Sequence, residues 1–432
     1  MSISKFKAGF YECDITPPLG CFVPGNYNNR RAVEVYDRLY AKAFVIESDG
    51  NCIAFLSVDT CSVPEDMHSV VTERITAYTG IPAENVCISS NHTHTGAPVS
   101  DAVQVNGYHD SEYLSVFFRL AADAVILAYN RLDEADISFA ASEAKGISFN
   151  RSFILKDGSY ISLPRKTDLE NIAEPLADID TTVSVLFAER DGKRIGALIN
   201  YALHQDTVHP DRPGYSGDYS SELSKLLKKE YGDDFVSVFN LGTCGDINHV
   251  DINNYDAHRE FFNHRPIGKV LADAVITADN NKTPVCGSVG AVKEFVALTK
   301  RKISFDDFGE LSKKYFDEGH LYKVENLAVY YRNVTSDTDD VYVQALRVGD
   351  VAIYALPGEI FVDFGFEIKK RSQSEKCIVI ENCNSYLGYI PTEKAFEPNS
   401  NVYEIATCKN SCHMPDSGSK LVNKALELGN RL

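Results

Sequence analysis

Basic charge is the scarcer kind in this chain: 43 Lys and Arg stand against 61 Asp and Glu, a formal net charge of −18. That balance disfavours nucleic acid and an anionic membrane surface as partners, because both call for a basic face. Long apolar runs are also missing. Nothing approaches the ~20 residues of a membrane span, so no stable membrane association is expected. The opening "MSISKFKAGFYECDITPPLG" has no apolar leader segment, and the expected location is cytoplasmic. The 11 cysteines form no C-x-x-C pair. Cys52, Cys87 and Cys377 lie in apolar, strand-like contexts, so they read as reduced packing thiols rather than thiolate metal ligands. Repeats, low-complexity stretches and Pro- or Ser-rich linkers are absent too. The 432 residues, 44% hydrophobic and 24% charged, therefore read as a single catalytic domain, 1–432, with a sizeable core.

What is present is a succession of strand-like runs. They cover 40–48, 52–59, 85–90, 182–189, 195–202, 235–242, 342–349, 351–358 and 377–383. Several are apolar throughout, as in sheets covered on both faces. Helical patterns lie between them: "PEDMHSVVTERITAYTG", "SEYLSVFFRLAADAVILAYNRL", "SSELSKLLKKEYG", "HRPIGKVLADAVITA" and "IFVDFGFEIKKRSQ". The alternation predicts an α/β fold of mixed, mostly buried sheets flanked by helices, with the active site at strand C-terminal ends. The stretch 300–340 is charged, aromatic and helical in pattern. It reads as a surface helical pair or as a lid.

Candidate chemistry gathers where the strands end. "NVCISSNHTHTGAP" places His92 and His94 one residue apart, on the same side of the chain if extended geometry persists. "IGALINYALHQDTVHP" ends in His204 and His209. "FVSVFNLGTCGDINHVD" leads to Asp246, Asn248, His249 and Asp251, and "VAIYALPGEIF" to Glu359. "IENCNSYLGYIPT" leads to Tyr386 and Tyr389. Zinc suits neutral imidazole with carboxylate, and a catalytic site leaves one position for water. Each of these residues has a structural alternative. Glu359 could cap the following helix, Tyr389 could be a packed aromatic, and Arg151 could pair with Asp178 or Asp180. His209 and His249 read as structural histidines. A second ion held by Asp246, His249 and Asp251 is the weaker option.

The order of the motifs "AGFYECDITPPLG", "SNHTHTGAP", "NRS", "ALHQDTVHP", "TCGDIN", "LPGEIF" and "NSYLGYIPT" resembles the catalytic domain of the neutral (alkaline, non-lysosomal) ceramidase family, from about residue 7 to 425. The resemblance implies one catalytic zinc per chain, held by His92, His204, Glu359 and Tyr389. It implies that His94 works on the substrate side as general acid/base. Arg151 would hold a substrate oxygen, and Tyr403 would be a further hydrogen-bond donor in the cleft. The family's essential serine is replaced by Asn248, whose amide could polarise a carbonyl or stabilise an oxyanion. Phe396 stands where the family has a tyrosine, which adds an apolar wall. No C-terminal immunoglobulin-like domain is expected.

These features predict a zinc-dependent hydrolase of an amide, ester or lactone. Its expected partner is a small-molecule substrate, polar or sugar-derived. The alternatives are a true ceramidase and a non-catalytic zinc-binding relative that acts as a ligand-binding protein. A binuclear amidohydrolase is a further class, but its bridging residue and late aspartate are not supplied in order.

Overall fold

Along Phe6–Asp14 the side chains of Phe6, Ala8 and Phe10 turn inward while Lys7 turns to solvent, the two-residue period of a strand. This strand, β1, lies inside the main sheet of the protein. The structure is a computed structural model that describes residues 6–25, 30–63, 66–99, 111–208, 213–255, 264–317, 324, 327–328, 331, 336–405 and 411–432.

After β1 come β2 (Tyr40–Ser48), β3 (Asn51–Val58), α1 (Met67–Thr79), β4 (Val86–Ser90), α2 (Ser111–Tyr129) and β5 (Asp133–Glu143). They are followed by β6 (Thr182–Arg190), β7 (Lys193–Tyr201), α3 (Asp218–Tyr231), β8 (Val236–Leu241) and α4 (His264–Asp279). The main sheet runs β8-β7-β6-β5-β1-β2-β3-β4. A second sheet runs β9 (Val289–Thr299), β10 (Thr338–Val348), β11 (Val351–Ala355), β12 (Lys376–Ile380). Phe6, Phe10, Phe44 and Phe55 of the main sheet meet Leu346, Ile353 and Ile378 of the second in one apolar layer. The outer face of the main sheet packs on α1 and α2 at one end and on α3 and α4 at the other. Helices α6 (Val362–Arg371) and α7 (Ser417–Gly429) cover the second sheet. The result is a helix–sheet–sheet–helix stack, as the apolar strands and amphipathic helices demand. All nine expected strand runs fall on strands. β1, β5 and β9 were not anticipated: charged residues interrupt β1, and the half-exposed faces of β5 and β9 dilute the apolar signal. No described helix is long and apolar enough to cross a membrane.

The segment 300–340 joins two neighbouring antiparallel strands, β9 and β10. Its base is closed by ion pairs Lys300–Asp339 (2.7 Å) and Lys302–Asp337 (3.0 Å). Helix α5 (Phe305–Asp317) opens on a reciprocal cap: Ser304 Oγ accepts from the Asp307 N–H at 3.0 Å, and Asp307 Oδ2 accepts from the Ser304 N–H at 3.3 Å. Much of the remainder, and with it the lid expectation, lies outside the described residues.

Within the two large sheets three strand pairs run parallel: β3 with β4, β7 with β8, and β11 with β12. Their carboxyl ends are stitched together by the residues that follow β12. Glu381 N–H donates to Leu241 O (3.1 Å), Ser90 N–H to Asn382 O (3.1 Å) and Asn384 N–H to Ile88 O (2.7 Å). Asn382 and Asn384 adopt φ of 53° and 61°, left-handed positions that asparagine tolerates better than most residues. The next residues after the six strands are thereby brought to one place.

Candidate metal centre

His92 follows β4 by two residues and has φ +61°. A left-handed histidine is strained, and such strain persists only where the surroundings impose it. Here Asn91 holds the turn by donating to Asp59 Oδ1 (2.5 Å) and Ser220 Oγ (3.1 Å). The ring of His92 then places Nδ1 2.5 Å from the Cys61 carbonyl oxygen. With Nδ1–H donating there, Nε2 is left with its lone pair. His204 follows β7 by three residues. Glu359 follows β11 through Pro357 and Gly358, whose φ is +86° and which lies so close to the Gly388 carbonyl that a β-carbon would not fit.

These three side chains meet. His92 Nε2 lies 3.0 Å from His204 Nε2. Glu359 Oε2 lies 3.4 Å from the first and 3.7 Å from the second. All three are buried, at 2% exposure or less. Glu359 Oε1 is satisfied by the Tyr386 hydroxyl at 2.6 Å. Glu359 Oε2 and His204 Nδ1 have no hydrogen-bond partner among the described residues. Three buried lone-pair atoms turned toward one point are expensive to keep without a positive centre among them. Two imidazoles and a carboxylate fit a divalent cation. Cys61, His92 and His94 form a second close group, but His92 Nδ1 is already engaged by the Cys61 carbonyl.

The electrostatics agree. Burial pushes the Glu359 carboxyl up, yet His92 and His204 hold it well below the usual carboxylate range. Burial and the neighbouring His92 hold His204 well below an ordinary imidazole. Burial acts the same way on His92, but Cys61 and Glu359 outweigh it and lift His92. Without an ion, the pair keeps a proton on one ring that a cation would displace.

The other expected residues are grouped around this centre. His94 is half-buried, with Nε2 3.3 Å from His92 Nε2. Burial and His92 lower it to about 4, so it is a neutral imidazole at pH 7. Tyr389 is set beside Glu359 by the short parallel pairing of Glu359–Ile360 with Tyr389–Ile390. Burial and Glu359 push its hydroxyl up while Arg151 pulls it down, so on its own it is a phenol. The Arg151 guanidinium lies 5.3 Å from the Tyr389 ring centre. Tyr403 packs its ring edge-on against Tyr389 at 5.8 Å. Asn248 lies on a two-residue ladder beside Phe149–Asn150, next to Arg151. Its Oδ1 accepts the Val250 N–H at 3.0 Å, which leaves its amide N–H groups.

Several alternatives are corrected. Arg151 pairs with neither Asp178 nor Asp180: its Nε donates to Glu404 Oε1 and its Nη2 to Gly245 O, both at 2.7 Å. Asp180 pairs with Lys369 instead. Glu359 does not cap α6, whose first N–H, that of Val362, donates to Asp246 Oδ1 at 2.9 Å. The second-ion group does not assemble. Asp246 is spent on Val362 and Asn150, His249 faces Asp206 at 3.3 Å, and Asp251 accepts the Asn253 N–H. Phe396 is not a bare apolar wall, because the Arg301 guanidinium lies 5.2 Å from its ring centre. His209 lies outside the described residues. Tyr386 and Glu404 stand in recognisable motifs that assign them no role, and nothing in the sequence singles out Cys61 or Asp206. A carbonyl contact such as that of Cys61 leaves no trace in residue type.

A family model described as neutral/alkaline non-lysosomal ceramidase, N-terminal, matches residues 6–254. That span holds His92, His94, Arg151, His204 and Asn248, whereas Glu359, Tyr389 and Tyr403 come to the site through the fold. The chain is 24% identical over 263 residues to neutral ceramidase 1 of Arabidopsis thaliana, covering 55% of this chain and 32% of that protein. It is 23% identical over 270 residues to neutral ceramidase A of Dictyostelium discoideum, covering 56% of this chain and 36% of that protein. The chain thus spans about a third of the length of the curated relatives it matches. Among solved structures, the neutral ceramidase of Pseudomonas aeruginosa has the same fold, with a TM-score of 0.76 over 99% of this chain and 75% of that one, at 17% identity.

Proposed function

The chain belongs to the neutral/alkaline non-lysosomal ceramidase family, and on that premise we propose that it is a metal-dependent hydrolase of an amide or ester bond. The carrying observation is the approach of the buried His92 Nε2, His204 Nε2 and Glu359 Oε2 within 3.7 Å of one another. These three would hold a zinc ion, with Tyr389 as the fourth donor. When bound, zinc supplies Lewis acidity, which polarises a carbonyl and makes water acidic near neutral pH.

The protein's own groups do the rest. Neutral His94 takes a proton from the attacking water and returns it to the leaving group, an exchange suited to an imidazole that is uncharged at pH 7. The Asn248 amide donates toward the substrate oxygen as charge develops there. Arg151, braced by Glu404 and Gly245, holds the Tyr389 ring in place and keeps positive charge beside the carbonyl. The Tyr386 hydroxyl engages Oε1 of Glu359, so that Oε2 is the oxygen left to hold a cation.

The test joins metal content to turnover. Purified protein should carry one zinc per chain and hydrolyse members of an amide, ester and lactone panel that includes a short-chain ceramide. Chelation should abolish turnover and added zinc restore it. Stoichiometric zinc with no turnover on any member would support a ligand-binding role instead, as the loss of the family serine at Asn248 would permit.

A further inference from the structure

His94 is held differently from His92. The His92 ring is tied through Nδ1 to the Cys61 carbonyl. The His94 ring meets His92 Nε2 through its own Nε2, and among the described residues nothing hydrogen-bonds its Nδ1. A ring that moves a proton must still stand in the right place, because a displacement of about 1 Å can cost about 10²-fold in rate. The backbone supplies that placement. The His94 N–H donates to Gln205 O at 3.0 Å. The His94 carbonyl accepts from Nη2 of Arg30 at 3.0 Å, from 64 residues earlier in the chain.

The same Nη2 donates to Pro24 O at 2.9 Å, so one guanidinium nitrogen ties two carbonyls together. Arg30 reaches both because Phe22–Val23 and Arg30–Arg31 form a short antiparallel ladder, with Val23 opposite Arg30. The ladder is extended by Ala32 N–H to Cys21 O (2.9 Å) and Gly20 N–H to Ala32 O (2.8 Å), and it is anchored by buried Val23 and Ala32. Gly25, just past it, has φ +82°. A β-carbon there would stand 2.5 Å from the His94 Cα and 2.6 Å from its Cβ and Cγ. The glycine backbone is thus packed on the root of the imidazole, where no larger residue fits.

We infer that Arg30 is a positioning residue for proton transfer: with Gly25 it clamps the backbone of His94 and sets where the imidazole stands beside the metal centre. This rests on the hydrolase reading, in which His94 is the acid/base group. Arg30 acts through His94 and not on the substrate, so its removal is felt in kcat and not in KM.

The test uses the zinc-loaded full chain and the best substrate of the hydrolysis panel. Arg30→Ala should lose kcat about 10- to 100-fold, with KM and zinc content unchanged. Free guanidinium at millimolar concentration should restore part of that loss and do nothing for the wild type. A merely loosened fold would instead be worsened by guanidinium, which is a denaturant. Arg30→Lys, whose ammonium reaches for the same carbonyls from a flexible stem, should lie between the two and carries the test should Arg30→Ala not fold. Gly25→Ala should also lose kcat and keep zinc. A rise in KM at unchanged kcat, a kcat close to the wild-type value in Arg30→Ala, or no recovery with guanidinium would overturn the inference. A second measurement needs no turnover: labelling of His94 by diethyl pyrocarbonate, read by tandem mass spectrometry, should run severalfold faster in Arg30→Ala. If the wild type hydrolyses nothing, the hydrolase reading falls and this rate decides the clamp alone; faster labelling keeps it and an unchanged rate sinks it.

Discussion

Tyr386→Phe removes one oxygen atom and nothing else. In the folded protein that hydroxyl donates to Glu359 Oε1 at 2.6 Å, inside a site where Glu359 is 1% exposed. A buried hydrogen bond to a charged group contributes about 1.5–3 kcal/mol. Loss of an outer partner to a metal-ligating side chain weakens metal binding about 10- to 100-fold, which is about 1.4–2.7 kcal/mol. The two scales agree, so the prediction is a zinc dissociation constant raised about 10- to 100-fold. The mechanism is orientational: without Tyr386 both carboxylate oxygens compete for the ion and the carboxylate is free to swing. A chelator-competition titration at fixed pH measures it, with thermal unfolding of both metal-free proteins as the control for folding. The double variant with Glu359→Gln should bind zinc no more weakly than Glu359→Gln alone, because the hydroxyl acts only through that carboxylate. A Tyr386→Phe affinity within twofold of the wild type, or full additivity in the double variant, would refute the reasoning.

Further outcomes are expected. His204→Ala should lose both zinc and turnover, whereas His94→Ala should keep zinc by metal analysis and lose kcat about 10²- to 10⁴-fold; loss of zinc in both would make His94 a ligand. Glu404→Ala should destabilise the protein by about 3–5 kcal/mol in denaturant titration, because it leaves the buried Arg151 charge without its carboxylate. Buried Glu381, which accepts from the Ile360 and Cys244 N–H groups, is raised by burial to about 8. Its folded form therefore keeps a proton that the unfolded chain releases near pH 4, so it favours folding at low pH and that contribution is lost as pH rises toward 8. The slope is about 1.4 kcal/mol per pH unit, and Glu381→Gln should flatten the fall in Tm between pH 5 and 8. An unchanged slope would mean that Glu381 is ionised in the folded state.

Legibility differed between elements for identifiable reasons. β4 and β8, buried on every side, announced themselves as unbroken apolar runs. β9 did not, because Lys293 and Glu294 interrupt it with charge and Phe295 is left exposed, in the pattern of a surface segment. His92, His204 and Glu359 were legible because each stands just past such a run. Tyr386 had the same position, yet its role depends on which oxygen of a carboxylate 27 residues earlier it meets. Asp246, His249 and Asp251 had as good a spacing as the true cluster, and backbone N–H groups and Asp206 claimed them first.

By itself the sequence determined the α/β class, the places where strands end and the residue types available there, because apolar periodicity and side-chain chemistry are local properties. Which of those ends share a point in space was decided by tertiary structure alone. Three parallel strand pairs, tied together by the backbone of 381–384, carry His92, His204 and Glu359 to within 3.7 Å of one another across 267 residues of chain. The same packing turned Asp206 toward His249. Coordination requires several lone pairs at one centre at once, a condition that pairing and burial satisfy and that no stretch of chain can express alone.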